Sequence, residues 1–251
     1  MAKETTKKNS IVFEKRKELD YRTNESYKSL RTNIQFCGNE MKVLAFTSCT
    51  PNEGKSSVCF NLATSFAQDG KKVIMIDADL RKSVLVGRYK VGAIDAGLSH
   101  YLSGQKSLDD VIMKTDIENF DIIFSGPFAP NPAELVGSEN MKTMLTRLRE
   151  EYDYVIIDTP PMGSVIDAAV IGQLTDGVVL VVENNAISYR FAQNVKKQLE
   201  QVECKILGVV LNKVPMGKKG YYGRYYGKYY GKYYGKYYGT YGQDGEDSDE
   251  E

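Results

Sequence analysis

Three stretches of this chain carry side chains suited to handling a phosphate. The first runs Ser48-Cys49-Thr50-Pro51-Asn52-Glu53-Gly54-Lys55-Ser56-Ser57, between an apolar run (Val43 to Phe46) and a helix-compatible segment, 58–68. Strand, small-residue loop, Gly-Lys-Ser and helix is the layout of a phosphate-binding P-loop. Such a loop aims backbone N–H groups at one point, where the helix dipole also favours an anion. Lys55 would reach the β- and γ-phosphates, and the Ser56 hydroxyl could ligand Mg²⁺. The strict pattern puts glycine at position 49, where this chain has Cys49. The second stretch is Val73-Ile74-Met75-Ile76 followed by Asp77-Ala78-Asp79, and the third is Tyr154 to Ile157 followed by Asp158-Thr159-Pro160-Pro161. Carboxylates just past the ends of parallel strands lie where α/β folds place ligand chemistry. A Mg²⁺ ion on a nucleotide takes a hydroxyl, one or two carboxylates, phosphate oxygens and water. Ser56 with Asp158, directly or through water, meets that need. The remaining acids could position or deprotonate a hydroxyl nucleophile. Any one acid is also explained as part of a polar turn; three beside Gly-Lys-Ser point jointly to Mg–ATP.

A phosphoryl donor needs an acceptor, and the C-terminal tract offers one. From Tyr221 the chain repeats Tyr-Tyr-Gly-Lys/Arg. Its tyrosines are Tyr221, Tyr222, Tyr225, Tyr226, Tyr229, Tyr230, Tyr233, Tyr234, Tyr237, Tyr238 and Tyr241. Lys218, Lys219, Arg224, Lys228, Lys232 and Lys236 are interspersed, and an acidic run from Asp244 to Glu251 follows. Tyr-Tyr pairs without apolar neighbours build no core, so 215–251 is expected to be disordered. Taken alone, basic residues among aromatics also suit a spacer or a binder of single-stranded nucleic acid. Beside a donor site the tract reads as the acceptor, with no nucleic-acid partner expected. Phosphorylating all eleven tyrosines would take the tract from a charge of +6 to roughly −10 to −16, enough to release an electrostatic contact.

The elements that must hold these groups follow from the apolar pattern. Val73–Ile76, Phe120–Phe124, Tyr154–Ile157, Val178–Val182 and Ile206–Leu211 join Val43–Phe46 as near-continuous apolar runs alternating with helical segments. That pattern predicts an α/β fold, a mostly parallel sheet of about seven strands with helices on both faces. Residues 1–22 are charged and irregular and are expected to be a flexible arm before a domain over 23–214. Asn24 offers an N-cap for a helix to about Phe36, with Tyr27, Leu30 and Ile34 on one face. Glu25, Lys28 and Arg31 line the neighbouring stripe, either as a solvated face or as a charged edge between subunits. Gly70 reads as a helix C-terminal glycine, and Gly97 to Gly104 as a short glycine-framed helix carrying the surface residue His100. A single helix is expected after Pro130-Asn131-Pro132, with Met141 and Met144 as core filling. Charge is balanced at 33 basic and 33 acidic residues, which implies no global polyelectrolyte partner. The N-terminus lacks an apolar signal region, and no apolar run approaches the ~18 residues of a membrane span. Cys37, Cys49, Cys59 and Cys204 lack metal or redox spacing and read as reduced thiols.

Taken together, these residues resemble the bacterial tyrosine kinases of the CpsD/CapB type, over nearly the whole chain. Phe46 to Ser56 resembles the family's Walker A, Ile74 to Arg81 its Walker A′, and Val155 to Pro161 its Walker B. Glu25, Lys28 and Arg31 fall on its oligomerisation motif, with lysine where arginine is usual. Gly97 to Gly104, Pro130 to Glu134 and Asp167-Ala168 are similar too, and the tail matches its autophosphorylation cluster. The resemblance implies a P-loop NTPase fold that moves the γ-phosphoryl of ATP to tyrosine. Nucleotide would be held by Thr50 to Ser57 and Asn212, Mg²⁺ by Ser56, Asp77 and Asp158, with Lys55, Asp77, Asp79 and Asp158 catalytic. Asp77 and Asp79 stay open as alternatives for the base. Tails would be phosphorylated in trans within a ring-like oligomer. The implied partners are a transmembrane activator of the CpsC/CapA type and a tyrosine phosphatase. The implied setting is capsular or exopolysaccharide synthesis, with a cytoplasmic protein recruited to the inner face of the membrane.

Two departures bear on that expectation. Lys28 keeps a positive charge without the planar fork of arginine. Asn52 stands where the family has glycine, and asparagine tolerates a positive φ better than most residues. The family form of the loop begins at Ser48 and leaves position 49 free. The rival reading is an ATPase switch of the MinD/ParA group, which carries a further lysine where this chain has Thr50. A scaffold acting through its tail alone leaves the three acids unexplained.

Overall fold

The computed structural model describes residues 10–16 and 18–215. In chain order the elements are β1 (Ser10–Ile11), α1 (Tyr21–Gln35), β2 (Val43–Ser48), α2 (Lys55–Gln68), β3 (Val73–Asp77) and α3 (Leu85–Tyr89). Next come α4 (Leu98–Leu102), α5 (Leu108–Val111), β4 (Met113–Thr115), β5 (Phe120–Ile123), α6 (Pro132–Val136) and α7 (Glu139–Glu151). The last are β6 (Tyr154–Asp158), α8 (Asp167–Gly172), β7 (Gly177–Glu183), α9 (Tyr189–Gln201) and β8 (Ile206–Asn212). The strands form one eight-stranded sheet in the order β1-β4-β5-β3-β6-β2-β7-β8. Every pairing is parallel except that of β4 with β5.

The near-continuous apolar runs β2, β3, β6 and β7 are central strands with both faces covered, whereas the equally apolar β8 lies at the sheet edge and is only partly buried. Val43, Ala45, Ile74 and Ile76 pack on one side with Met141, Met144 and Leu148 of α7 and Val195 and Leu199 of α9. Leu44, Phe46, Val73 and Met75 pack on the other with Ile34 of α1 and Phe60, Leu62 and Phe66 of α2. Tyr27 and Leu30 lean on that second layer, as the helical periodicity of α1 requires.

Four expectations need correction. The N-terminal segment is no flexible arm from residue 10 onward: β1 adds to the sheet edge beside β4. Phe13 is buried edge-on against Phe60, with ring centroids 4.8 Å apart. The first long helix starts earlier than Asn24 suggests, because Asp20 is the N-cap and accepts from Arg22 N at 3.0 Å and Thr23 N at 3.1 Å. The segment after Pro130 is two helices, separated at Gly137 and Ser138, where the Ser138 hydroxyl caps α7 by accepting from Met141 N. The sheet has eight strands rather than about seven.

The tract 216–251 lies outside the described residues. With it lie all the expected acceptors, Tyr221, Tyr222, Tyr225, Tyr226, Tyr229, Tyr230, Tyr233, Tyr234, Tyr237, Tyr238 and Tyr241, and the acidic end. The structure therefore brings none of these tyrosines into the account of the site below, and their role rests on sequence. Among the described residues no helix is long and apolar enough to cross a membrane.

Candidate active site

The C-terminal ends of β2, β3 and β6 lie side by side and gather the sequence motifs into one place. Asp77 and Asp158 are the last residues of β3 and β6 and are direct register partners. The loop after β2 enters α2 at Lys55, whose ammonium pairs with the Asp158 carboxylate inside the protein. Burial opposes the charge on Lys55, but Asp158 outweighs it and holds the ammonium above its ordinary pKa.

Asp77 is the most perturbed acid of the group. Its surroundings exclude water, and Asp158 lies beside it; the two effects, burial first, push it up to about 7. One oxygen accepts from the Ser83 hydroxyl, while the other, Oδ1, is buried with no hydrogen-bond partner among the described residues. Asp79, two residues on, is more open and accepts from Arg81 N at 3.2 Å and Lys82 N at 2.9 Å. Arg81 reaches back to α8, donating from Nε and Nη2 to the buried Asp167 carboxylate at 2.8 and 2.9 Å. That two-pronged contact fixes the turn that carries Asp79.

The phosphate loop closes through residues able to adopt left-handed backbone. Asn52 has φ 68° and Gly54 φ 90°, so asparagine takes the conformation expected of it in place of glycine. Glu53 between them is buried and binds Thr50 and the main chain of Glu183. Asn212, at the end of β8, donates from its amide to the Glu53 carbonyl at 2.8 Å. The turn after β6 supports the loop from below: Met162 N donates to Ser48 O at 2.8 Å. Gly163 packs so closely that a Cβ there would lie 2.2 Å from Cys49 O. Cys49 itself is buried, and burial followed by the nearby Glu53 charge pushes its thiol up to about 12. A thiolate, and with it a redox role at the loop, is disfavoured there. Cys59 is likewise buried, one turn along α2 and 3.7 Å from Asp158 Oδ1, with its thiol also held above its usual pKa.

Lys55, Asp77, Asp79 and Asp158 thus come from three separate motifs to one sheet edge, with Ser56 and Ser57 on the first turn of α2. Among the described residues no three His, Cys, Asp or Glu side chains are arranged to hold a metal ion. The orphaned Asp77 oxygen beside a second carboxylate nevertheless suits a cation that draws its other ligands from phosphate and Ser56. The remaining motif residues lie elsewhere. Glu25 and Lys28 pair with each other on the exposed face of α1 at 2.7 Å. Arg31 turns inward instead, donating to Ser65 O at 2.6 Å and meeting Asp69 at 3.2 Å. His100 accepts from Gly97 N through Nδ1, as a capping side chain of α4. Sequence reasoning missed Ser83 as the partner of Asp77 and Asp167 as the anchor of Arg81. The Asp167-Ala168 dipeptide marks the second, and no sequence feature marks the first.

Comparison with known proteins assigns this arrangement. The model of a family described as an AAA domain matches residues 41–210. The tyrosine-protein kinase CpsD of Streptococcus agalactiae is 42% identical over 208 residues, covering 81% of this chain and 91% of that protein. The chain belongs to the bacterial tyrosine kinases of the CpsD/CapB type. Among solved structures, the kinase domain of the Escherichia coli tyrosine kinase ETK is 34% identical, with a TM-score of 0.71, covering 79% of this chain and 80% of that one. The chimerical protein CapA2B2 is 35% identical, with a TM-score of 0.72, covering 76% of this chain and 84% of that one. MinD of Pyrococcus furiosus, 23% identical with a TM-score of 0.60 over 70% of this chain and 74% of that one, shares the fold alone. Membership of this kinase family implies the binding of a nucleotide, ATP.

Proposed function

We propose that this kinase transfers the γ-phosphoryl of ATP to tyrosines of its own C-terminal tract, 221–241, and so regulates capsular or exopolysaccharide synthesis and export. What supports the reading most is the meeting of Lys55, Asp77 and Asp158 at one sheet edge, in a chain that carries eleven closely spaced tyrosines near its end. Backbone N–H groups of 53–57 cradle the phosphates, with Asn212 completing the nucleotide site. Lys55 leaves Asp158 for the phosphates and stabilises the charge that builds on the transferring group. It exchanges one anionic partner for another, so its ammonium is not left unpaired. Ser56, Asp158 and Asp77 are the side chains that would hold Mg²⁺, which when bound neutralises charge on the phosphates. Asp77 or Asp79 orients the incoming phenol and accepts its proton as the phenol oxygen–γ-phosphorus bond forms and the bond from that phosphorus to the β–γ bridging oxygen breaks, releasing ADP.

The acceptor tail comes from another subunit of a ring-like oligomer built through Glu25 and Lys28 on α1, with Arg31 bracing that helix from within its own subunit. A CapA-type membrane partner activates the kinase and draws it to the inner face of the membrane, and a tyrosine phosphatase reverses the modification. The domain proper takes in β1 at Ser10–Ile11 and runs to about 214, with the tail beyond it. A mixing experiment tests transfer between subunits. An active copy with all eleven tail tyrosines changed to phenylalanine is combined with a Lys55→Met copy that keeps its tail, and Mg–ATP is added. Phosphotyrosine on the Lys55→Met copy is expected; its absence there, while unmixed wild type labels itself, contradicts transfer in trans.

A further inference from the structure

Glu53 is a buried acid in the phosphate loop, with 1% of its surface exposed. A carboxylate so placed is costly unless its lone pairs are taken up by donors, and here they are. Oε1 accepts from the Thr50 backbone N–H and from the Thr50 hydroxyl, the latter at 2.9 Å. Oε2 accepts from Glu183 N, at the end of β7, at 2.9 Å. The Glu53 carbonyl accepts from the Asn212 amide, at the end of β8, at 2.8 Å. One residue therefore closes the turn from Thr50 and ties it to the ends of two strands outside the Lys55–Asp77–Asp158 cluster. The loop needs such a tie, because Asn52 and Gly54 on either side both have left-handed backbone, a conformation that costs a non-glycine residue about 1–2 kcal/mol.

We propose that the Glu53 side chain is a positioning group for ATP: it touches neither nucleotide nor metal, and through Thr50 and Glu183, with Asn212 holding the Glu53 carbonyl, it sets the loop shape that aims the backbone N–H groups at the phosphates. The proposal rests on the nucleotide reading of the loop and not on the identity of the phosphoryl acceptor. Nucleotide binding is therefore read directly, with a fluorescent ATP analogue on the full-length protein, and the kinetics of tail phosphorylation are measured beside it. Glu53→Ala removes all three side-chain hydrogen bonds, and affinity for the analogue is expected to fall about tenfold, less than their summed worth because they act on the nucleotide only through the loop. Glu53→Gln keeps one acceptor for Thr50 but turns its amide N–H₂ toward the Glu183 N–H, so it recovers part of the affinity and no more. KM for ATP rises in the same order, while kcat at saturating ATP stays within about twofold of wild type, the signature of lost binding common to ground and transition states. If Glu53→Ala does not fold, Thr50→Val, which deletes only the hydroxyl contact, is expected to weaken binding about threefold. Wild-type affinity in Glu53→Gln and Thr50→Val overturns the proposal. So does a fall in kcat with KM unchanged, which would place Glu53 in the chemistry itself.

Discussion

Asp77 shows how a single residue can be set by the site before any ligand arrives. Burial and the facing Asp158 raise it from 3.8 to about 7, so between those values the folded carboxyl keeps a proton that the unfolded chain has lost. Its contribution to stability is full below pH 3.8 and is lost as pH rises to about 7. Thermal unfolding of the nucleotide-free protein should therefore show a melting temperature that falls across this window, and Asp77→Asn, which cannot titrate, should flatten that fall. At pH 8 the variant is expected to be more stable than wild type by roughly 1–3 kcal/mol, since it carries no buried anion at 77. Identical pH profiles would contradict the account, as would a less stable variant. The chemistry of this residue was legible in the sequence from its place after an apolar strand. Its orphaned oxygen and its Ser83 partner were not, because both depend on how the turn after β3 folds back.

At the scale of elements, long strands and amphipathic helices announced themselves and short edge pieces did not. β2, β3, β6 and β7 are five to seven residues each, with both faces covered in the middle of the sheet, so composition alone marks them; β8 is as apolar but closes the sheet as an edge strand, with Val209 and Leu211 exposed. β1 and β4 are two and three residues long and carry no periodicity to read. Phe13 is the feature that converts the segment after β1 from arm to structure. It packs against Phe60 of α2 and Tyr89 of α3, so the phosphate-loop helix is buttressed from the N-terminus. Phe13→Ala should cost about 3 kcal/mol in urea unfolding, the usual penalty for emptying a buried aromatic site. A change below about 1 kcal/mol, that of an ordinary surface substitution, would return this segment to the status of an arm. The helix start at Asp20 was missed because Asn24 is an equally good capping type; the side chain that reaches Arg22 N and Thr23 N decides between them. Arg31, which the sequence left as part of either a solvated face or an edge between subunits, braces α1 on α2 within its own chain. Glu25 and Lys28 remain exposed on that helix.

For the whole molecule, the sheet edge and the tract beyond residue 215 make one argument: a site organised for a phosphoryl donor in a chain with many phenols. The fold, and the meeting of the three acids with the loop before α2, could be read from sequence because each is anchored to a strand end, and a parallel sheet brings such ends together whatever the loops do. The destination of the phosphoryl group rests on the composition of the tract, and it is the claim most open to direct measurement. The full-length protein is incubated with Mg–ATP and the cytoplasmic segment of a CapA-type activator, then mapped for phosphotyrosine by mass spectrometry. The account predicts modification between Tyr221 and Tyr241, abolished by Lys55→Met; ATP hydrolysis with no phosphotyrosine in that tract would contradict it.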